Sequence, residues 1–174
     1  MSDIAGDTTD AADDTAAAPT EIHGCPTSDS RGQVVVHPTR EQYVDVVKAL
    51  ADEGYAMCAD LTAVDYLDYM HRPLPEGVAP ERFEVVINLL DVANRRRIRL
   101  RVQVSADDAV IATLFDVYPG SEAMEREVFD MFGIEFSDHP DPSRILMPED
   151  WIGHPLRKDY EIGKIPVQFK GANS

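Results

Sequence analysis

A hairpin of two long strands is the sequence feature that most restricts the fold of this chain. Residues 82–91 read RFEVVINLLD, an almost continuous apolar run of the kind found in a strand buried on both faces. Residues 95–104 read RRRIRLRVQV, in which apolar and polar side chains alternate as in a half-buried strand. Because the two runs are separated only by Val-Ala-Asn, they are predicted to pair as antiparallel neighbours.

Helical spacing of apolar residues predicts a first helix over residues 37–54. Thr39 is the expected N-cap, Gln42 occupies the capping-box position and Gly54 suits the position after the last turn. Short strands are predicted on either side of this helix, at 33–36 and 55–66.

Two more helices are predicted after the hairpin. Ser105 is expected to cap a helix over residues 106–117, and residues 121–133 form another helix that ends at Gly133. Strands and helices in this order predict an α+β fold. We therefore expect a two-layer body with a mixed or antiparallel sheet and helices, followed by an extended irregular C-terminal arm.

Three regions are predicted along the chain. Residues 1–32 are expected to form a disordered acidic tail, since the first thirty residues hold seven acidic side chains and no Lys or Arg. The α+β body covers 33–136, and the arm covers 137–174. Several large apolar side chains of the arm would be costly to leave in water, so the arm either folds back on its own body or lies on a partner. They are Ile145, Leu146, Met147, Trp151, Leu156, Tyr160 and Phe169.

Composition excludes several function classes. No apolar run approaches the roughly 18 residues of a membrane-spanning helix, and the first residues do not resemble a signal peptide. The net charge of −16 disfavours nucleic acid and anionic lipid as unaided partners. Two distant cysteines, Cys25 and Cys58, indicate free thiols in a reducing compartment. An Arg row could form a nucleic-acid patch, but a solvated strand face with ion pairs, or a protein interface, is favoured. The row comprises Arg95, Arg96, Arg97, Arg99 and Arg101.

No catalytic or cofactor motif was found in the sequence. Phosphate-binding glycine loops and nucleophile-elbow motifs are absent. A metal-dependent hydrolase could be imagined from Glu127, Asp130, His139 and His154, but their spacing fits no recurring ligand set. Capping charges and interface ion pairs are the favoured interpretation, and no catalytic, cofactor-binding or metal-ligating residue is expected.

Three stretches nevertheless closely resemble one family. EREVFDMFGIEFSDHPDPSRIL at 125–146, PEDWIGHPLRKDY at 148–160 and DLTAVDYL at 60–67 are similar to the signature of the 30-kDa subunit, also called the C subunit, of proton-pumping NADH:quinone oxidoreductase. This enzyme is respiratory complex I. Related subunits occur in membrane-bound hydrogenases and plastid-type complexes, and such a homologous role is the alternative interpretation.

The resemblance implies a cofactor-free structural subunit of the peripheral arm of the complex. FMN and the iron–sulfur clusters would lie in other subunits, which pass electrons from NADH to quinone. The expected partners are the large subunit that forms the quinone cavity and the neighbouring iron–sulfur subunit. The expected location is the cytoplasmic face of the bacterial plasma membrane, or the matrix side in an organelle, with membrane contact only through the complex.

Two groups of residues are predicted to dock on those partners. In the arm, aromatic and apolar anchors alternate with charges that would set the register of the contact. This group contains Trp151, Leu156, Arg157, Lys158, Asp159 and Tyr160. The second group is a charged patch formed by Glu125, Arg126, Glu127, Asp130, His139 and Arg144.

Overall fold

The computed structural model describes residues 20–161, and its main feature is a six-stranded mixed sheet. The strands are β1 (Glu21–Ile22), β2 (Cys25–Asp29), β3 (Val34–Val36), β4 (Met57–Asp65), β5 (Phe83–Asp91) and β6 (Arg96–Val104). Their order across the sheet is β1-β2-β3-β6-β5-β4, with β3 and β6 parallel and the other pairs antiparallel. The predicted hairpin is confirmed, since β5 and β6 pair from Phe83↔Val104 to Asp91↔Arg96.

Two helices supply the second layer. Helix α1 spans Tyr43–Asp52 and helix α2 spans Glu122–Phe132, directly after a 3₁₀ turn at Pro119–Ser121. Their apolar residues join the inward side chains of β3 to β6 in one hydrophobic core. Strands β7 (Val110–Ala112) and β8 (Glu135–Ser137) form a small parallel sheet. The predicted α+β class with a mixed sheet is confirmed.

The N-terminal boundary of the body differs from the prediction. Residues 21–29 form β1 and β2 at the edge of the main sheet, and the Cys25 side chain is fully buried in the core. His23 and Gly24 both have positive φ, 50° and 72°, which suits the tight turn of a two-residue hairpin. The expectation of a disordered tail reaching residue 32 is therefore wrong for these residues. Residues 1–19 lie outside the described part of the chain.

The helix predicted at 106–117 is wrong. Val110–Ala112 forms β7, which pairs with β8 in register Ile111↔Phe136, and Ser105 Oγ accepts a bond from the Asp107 N–H in a local turn. The β-branched residues Val110 and Ile111 favour a strand, and β8 supplies the partner from residues 135–137. Tertiary pairing therefore overrides the helical spacing of this segment.

The two correctly predicted helices differ in how well their ends were placed. Helix α1 begins at Tyr43 with Gln42 as N-cap, so Thr39 is not the cap, although its N–H donates to Gln42 Oε1 at 3.3 Å. Gly54 and Gly133 follow α1 and α2 as predicted, with φ of 104° and 68°. Neither helix, nor any other helix between residues 20 and 161, is long and apolar enough to cross a membrane.

Candidate functional site

The described part of the arm folds back on the body instead of standing free. Residues 138–161 contain no helix or strand, and hydrogen bonds hold them along α2 and the end of β4. Three anchors account for this attachment. In each anchor a charged side chain forms hydrogen bonds with backbone groups. A segment without helix or strand cannot pair these backbone groups within a regular element, so side chains bind them instead.

The first anchor is the carboxylate of Asp130 on α2, which is fully buried. It accepts hydrogen bonds from the backbone N–H groups of Ile145, Leu146 and Met147 at 3.1, 2.7 and 2.8 Å. The Arg144 guanidinium donates to it at 2.6 Å. Burial raises the pKa of Asp130, but these bonds outweigh burial and hold the pKa below its ordinary value. The ionised carboxylate therefore fixes the path of residues 144–147.

Arg144 extends this anchor to the next part of the arm. Its second terminal nitrogen donates to the carbonyl oxygens of Trp151 and Gly153, each at 3.0 Å. One guanidinium thus joins α2 to two points of the arm that are seven and nine residues further along the chain. Arg144 forms its ion pair inside this chain, with the buried carboxylate of Asp130, where the sequence had predicted a contact with a partner.

The second anchor lies at the C-terminal end of α2. The Arg157 Nε–H donates to the carbonyl of Phe132 at 2.5 Å, and the Leu156 N–H donates to the carbonyl of Met131 at 3.0 Å. A guanidinium at this position caps free carbonyls and interacts favourably with the helix dipole. His154 Nδ1–H donates to the carbonyl of Asp130 at 3.0 Å, and burial is the main reason why the pKa of His154 is lowered.

Gly133 is what allows the arm to lie so close to α2. Its φ of 68° is left-handed, and a Cβ there would lie 2.5 Å from His154 Nε2 and 2.7 Å from Arg157 Nη2. The glycine therefore ends the helix and also leaves the space that the second anchor fills.

The third anchor joins the arm to the main sheet. Arg82, directly before β5, donates to Asp65 at 2.8 and 3.0 Å and to Asp159 at 2.7 and 3.0 Å. The Lys158 N–H donates to Asp65 at 2.9 Å. Burial raises the pKa of Asp65, but the hydrogen bonds from Arg82 and Lys158 outweigh burial. The pKa of Asp65 therefore lies below its ordinary value, and the carboxylate stays ionised. Sequence reasoning missed Asp65 and Arg82, because no local pattern links them to a segment 77 to 93 positions away.

The predicted charged patch on α2 proves to be largely internal. Glu125 is fully buried and accepts bonds from the Leu114 N–H, the Thr113 hydroxyl and the Ser121 hydroxyl at 2.8, 2.5 and 2.8 Å. It fixes the loop before α2. The prediction that Glu125 and Asp130 belong to a docking surface is therefore wrong.

The rest of that patch is divided between the chain and its surface. Arg126 donates to the Ser143 carbonyl and pairs with Asp141 at 3.1 Å. The His139 side chain is almost fully buried, with Nε2 at 3.2 Å from the Glu122 carbonyl oxygen. Glu127 is exposed. Of the six predicted residues, Glu127 alone is both exposed and without a described contact.

The arm anchors predicted from its signature are also only partly exposed. Trp151 and Tyr160 are half-buried, and the Tyr160 ring lies against Gly153. Lys158 and Asp159 are exposed, although Asp159 already pairs with Arg82. Leu156 remains exposed and joins a set of apolar side chains that we call the apolar row, whose exposed fractions range from 41% to 90%. The apolar row consists of Ile145, Leu146, Ile152 and Leu156.

The described residues hold no group of three or more His, Cys, Asp or Glu side chains arranged to bind a metal ion. Of the four residues of the hydrolase hypothesis, Asp130 is saturated by its anchor bonds and His154 donates to a carbonyl. The Arg row follows the ion-pair interpretation in part. Arg96 pairs with Asp91 at 2.6 Å, and Arg101 lies 3.6 Å from Glu84.

Comparison with known proteins gives consistent results. The family described as "Respiratory-chain NADH dehydrogenase, 30 Kd subunit" matches residues 36–166. The NADH-quinone oxidoreductase C subunit of Roseiflexus castenholzii is 46% identical over 88% of this chain and 83% of its own length. The corresponding C subunit of Saccharopolyspora erythraea is 42% identical over 82% of this chain, which spans only 55% of that relative.

Solved structures show the same fold. The trypsin-resistant fragment of Nqo5 is 34% identical, with a TM-score of 0.60, over 68% of this chain and 89% of the fragment. A chain of an archaeal membrane-bound sulfane sulfur reductase matches over 84% of this chain and 87% of its own, with a TM-score of 0.61. Its identity of 21% supports a shared fold only. The family match over residues 36–166 and the relatives at 42% to 46% identity establish that the chain belongs to the 30-kDa subunit family of respiratory-chain NADH dehydrogenase.

Proposed function

We propose that this chain is a structural and assembly subunit of the peripheral arm of a proton-pumping NADH:quinone oxidoreductase. It contributes no redox cofactor, and FMN and the iron–sulfur clusters belong to other subunits. Its role is to hold neighbouring subunits in the geometry that electron transfer from NADH to quinone requires. Membership of the 30-kDa subunit family supports the assignment to this enzyme complex. The conformation of the arm supports the structural and assembly role.

The apolar row is the observation that carries this proposal. Ile152 is 90% exposed, although the backbone beside it is fixed by the Arg144 bonds to Trp151 and Gly153. Exposed apolar side chains on a fixed backbone lose little conformational entropy when a partner covers them. Several large apolar side chains left exposed on one ordered segment are typical of a protein interface. The anchors therefore prepare the arm for docking by presenting the apolar row outward.

The partners that we propose are the large subunit forming the quinone cavity and the neighbouring iron–sulfur subunit. The arm covers the first of them with its apolar row. Lys158 and Glu127, both exposed, supply charges at the rim of this contact. The assembly places the chain at the cytoplasmic face of the membrane, which it contacts only through the complex.

Affinity purification of the complex through this chain from mild-detergent membranes tests the proposal. Ile152→Asp and Leu156→Asp each place a charge in the apolar row and should weaken association by about 2 kcal/mol or more, roughly 30-fold. The matched control is Tyr69→Asp. Tyr69 is 58% exposed in the loop between β4 and β5 and lies outside the arm.

The expected result is that the wild-type chain and Tyr69→Asp recover the complex with NADH:quinone oxidoreductase activity, and the two arm variants do not. Equal recovery of the complex by all three variants would show that the apolar row does not contribute to assembly. Recovery of hydrogenase subunits in place of an NADH-oxidising module would instead support the homologous hydrogenase-type complex. If the wild-type chain, extracted from membranes in this way, is purified as a monomer with no other subunit bound, the assembly role itself would be refuted.

A further inference from the structure

The main sheet has a second face that the helices do not cover. Helices α1 and α2 pack on the face formed by residues such as Val85, Ile87 and Leu100. Residues one position away along each strand point to the opposite side. We call this side the outer face. In rows across β4, β5 and β6 it carries Met57–Leu90–Arg97, Asp60–Asn88–Arg99, Thr62–Val86–Arg101 and Val64–Glu84–Gln103.

One end of the outer face is closed by the chain itself. Arg72, from the loop between β4 and β5, lies over the Tyr66 ring at 3.7 Å and donates to Gln103. Gln103 in turn donates to the buried carboxylate of Glu84 at 2.7 Å. Arg101 faces the same carboxylate at 3.6 Å. Both arginines at this end, Arg72 and Arg101, therefore have an acidic partner within the chain, the carboxylate of Glu84.

The other end of the outer face keeps its positive charge. Arg97 is exposed, and no ion pair or side-chain hydrogen bond links it to any residue between 20 and 161. Arg99 donates to the uncharged amide oxygen of Asn88 at 2.9 Å. Asp60 on β4 is the acidic side chain facing this end, and it forms no ion pair with either arginine. Two neighbouring arginines that lack an acidic partner in the described part of the chain contrast with its net charge of −16.

Apolar side chains lie directly beside these two arginines. Met57 is 50% exposed, and its cross-strand neighbour Leu90 is half-buried and lies next to Arg97. Side chains in such a row are roughly 5 Å apart. A segment that runs across the strands can therefore place an apolar residue on Met57 and Leu90 while its carboxylates reach Arg97 and Arg99. Arginine binds carboxylates in a planar, bidentate geometry.

We propose that the outer face, through Met57, Leu90, Arg97 and Arg99, binds an acidic segment of a neighbouring subunit. This contact is separate from the apolar row and lies on another surface of the molecule. It rests on the proposed function insofar as the neighbour belongs to the same complex. Charge complementarity selects the partner, since an acidic segment matches these arginines and a basic one would be repelled.

A site-specific photo-crosslink in the assembled complex tests this inference. Met57 is replaced by the photoreactive residue p-benzoylphenylalanine, and the complex is purified, irradiated and digested for mass spectrometry. The expected product joins position 57 to an acidic segment of another subunit. Adding Arg97→Glu should lower its yield by about five-fold or more, because a repulsive charge replaces an attractive one. Lys48→Glu, a charge reversal on the exposed side of α1, should leave the yield unchanged.

Purification and crosslinking separate the two proposals. If the wild-type chain recovers no complex, the proposed function fails and this inference fails with it. If the complex is recovered but position 57 crosslinks to nothing, to a basic segment, or to residues 1–19 of its own chain, only the inference is overturned. An unchanged yield with Arg97→Glu would also overturn it, because charge would then not select the partner.

Discussion

Replacing Asp130 with Asn should detach the arm while leaving the body folded. The carboxylate receives three backbone N–H groups and the Arg144 guanidinium, at 2.6 to 3.1 Å. Asn keeps the size of the side chain but loses the charge, and its amide N–H₂ replaces one acceptor oxygen with a donor group. Donors that converge on one carboxylate cannot all be satisfied by one amide oxygen.

The expected loss follows from the burial of this anchor. A hydrogen bond to a charged group contributes about 1.5–3 kcal/mol, and removing one partner of a buried ion pair costs about 3–5 kcal/mol. Arg144 retains its bonds to the Trp151 and Gly153 carbonyls, so part of its hydrogen bonding survives. We therefore expect the free energy that holds the arm to fall by about 3 kcal/mol.

Urea titration with two probes measures this loss. Trp151 is the single tryptophan of the chain and lies in the arm, so its fluorescence reports arm release, and far-ultraviolet circular dichroism reports the body. In Asp130→Asn, the fluorescence transition should occur at lower urea than the dichroism transition. Glu127→Gln, an exposed acid-to-amide change on the same helix, is the matched control and should shift neither.

Coincident transitions that match the wild type within about 0.5 kcal/mol would refute the anchor argument, since a saturated buried carboxylate cannot be lost without effect. An equal shift of the fluorescence and dichroism transitions to lower urea would show instead that arm and body unfold as one unit. The predicted loss of unfolding free energy would then be confirmed, but the prediction that the arm detaches independently of the body would be wrong.

Three further outcomes are expected. Gly133→Ala should destabilise by about 1–2 kcal/mol through its left-handed backbone, and hydrogen exchange should show the arm loosened, because the new Cβ meets arm side chains. Acid should also release the arm. The pKa values of Asp65 and Asp130 lie below that of an unfolded Asp, about 3.9, so their stabilisation is complete above that pH and disappears as pH falls through the lowered values. Trp151 fluorescence should therefore stay constant from pH 6 to 8, which is roughly the range free of Asp titration, and shift to the red below about pH 4. Tyr118→Phe should cost about 1–2 kcal/mol in thermal unfolding, since it removes a buried hydroxyl bond to the Tyr55 carbonyl and leaves that oxygen unpaired.

Sequence patterns predicted the parts of the fold whose signal is local. The alternation of residues 95–104 placed strand β6, and the apolar stripe with Gly133 placed helix α2 and its end. The arm signature also led to the correct family. In each case a few neighbouring residues contain the whole pattern, because periodicity and glycine conformations act within one element.

Only the tertiary structure decided how the charged residues are used. Asp130 and Arg144 were predicted to face a partner, and they bind each other at 2.6 Å inside the chain. Arg82 and Asp65 were not predicted at all, although they hold Asp159 and Lys158. Sequence determined that the arm carries charges and apolar side chains. Which of these side chains are buried depends on contacts between segments that are distant in the chain and come together only on folding. A local sequence pattern does not contain this information.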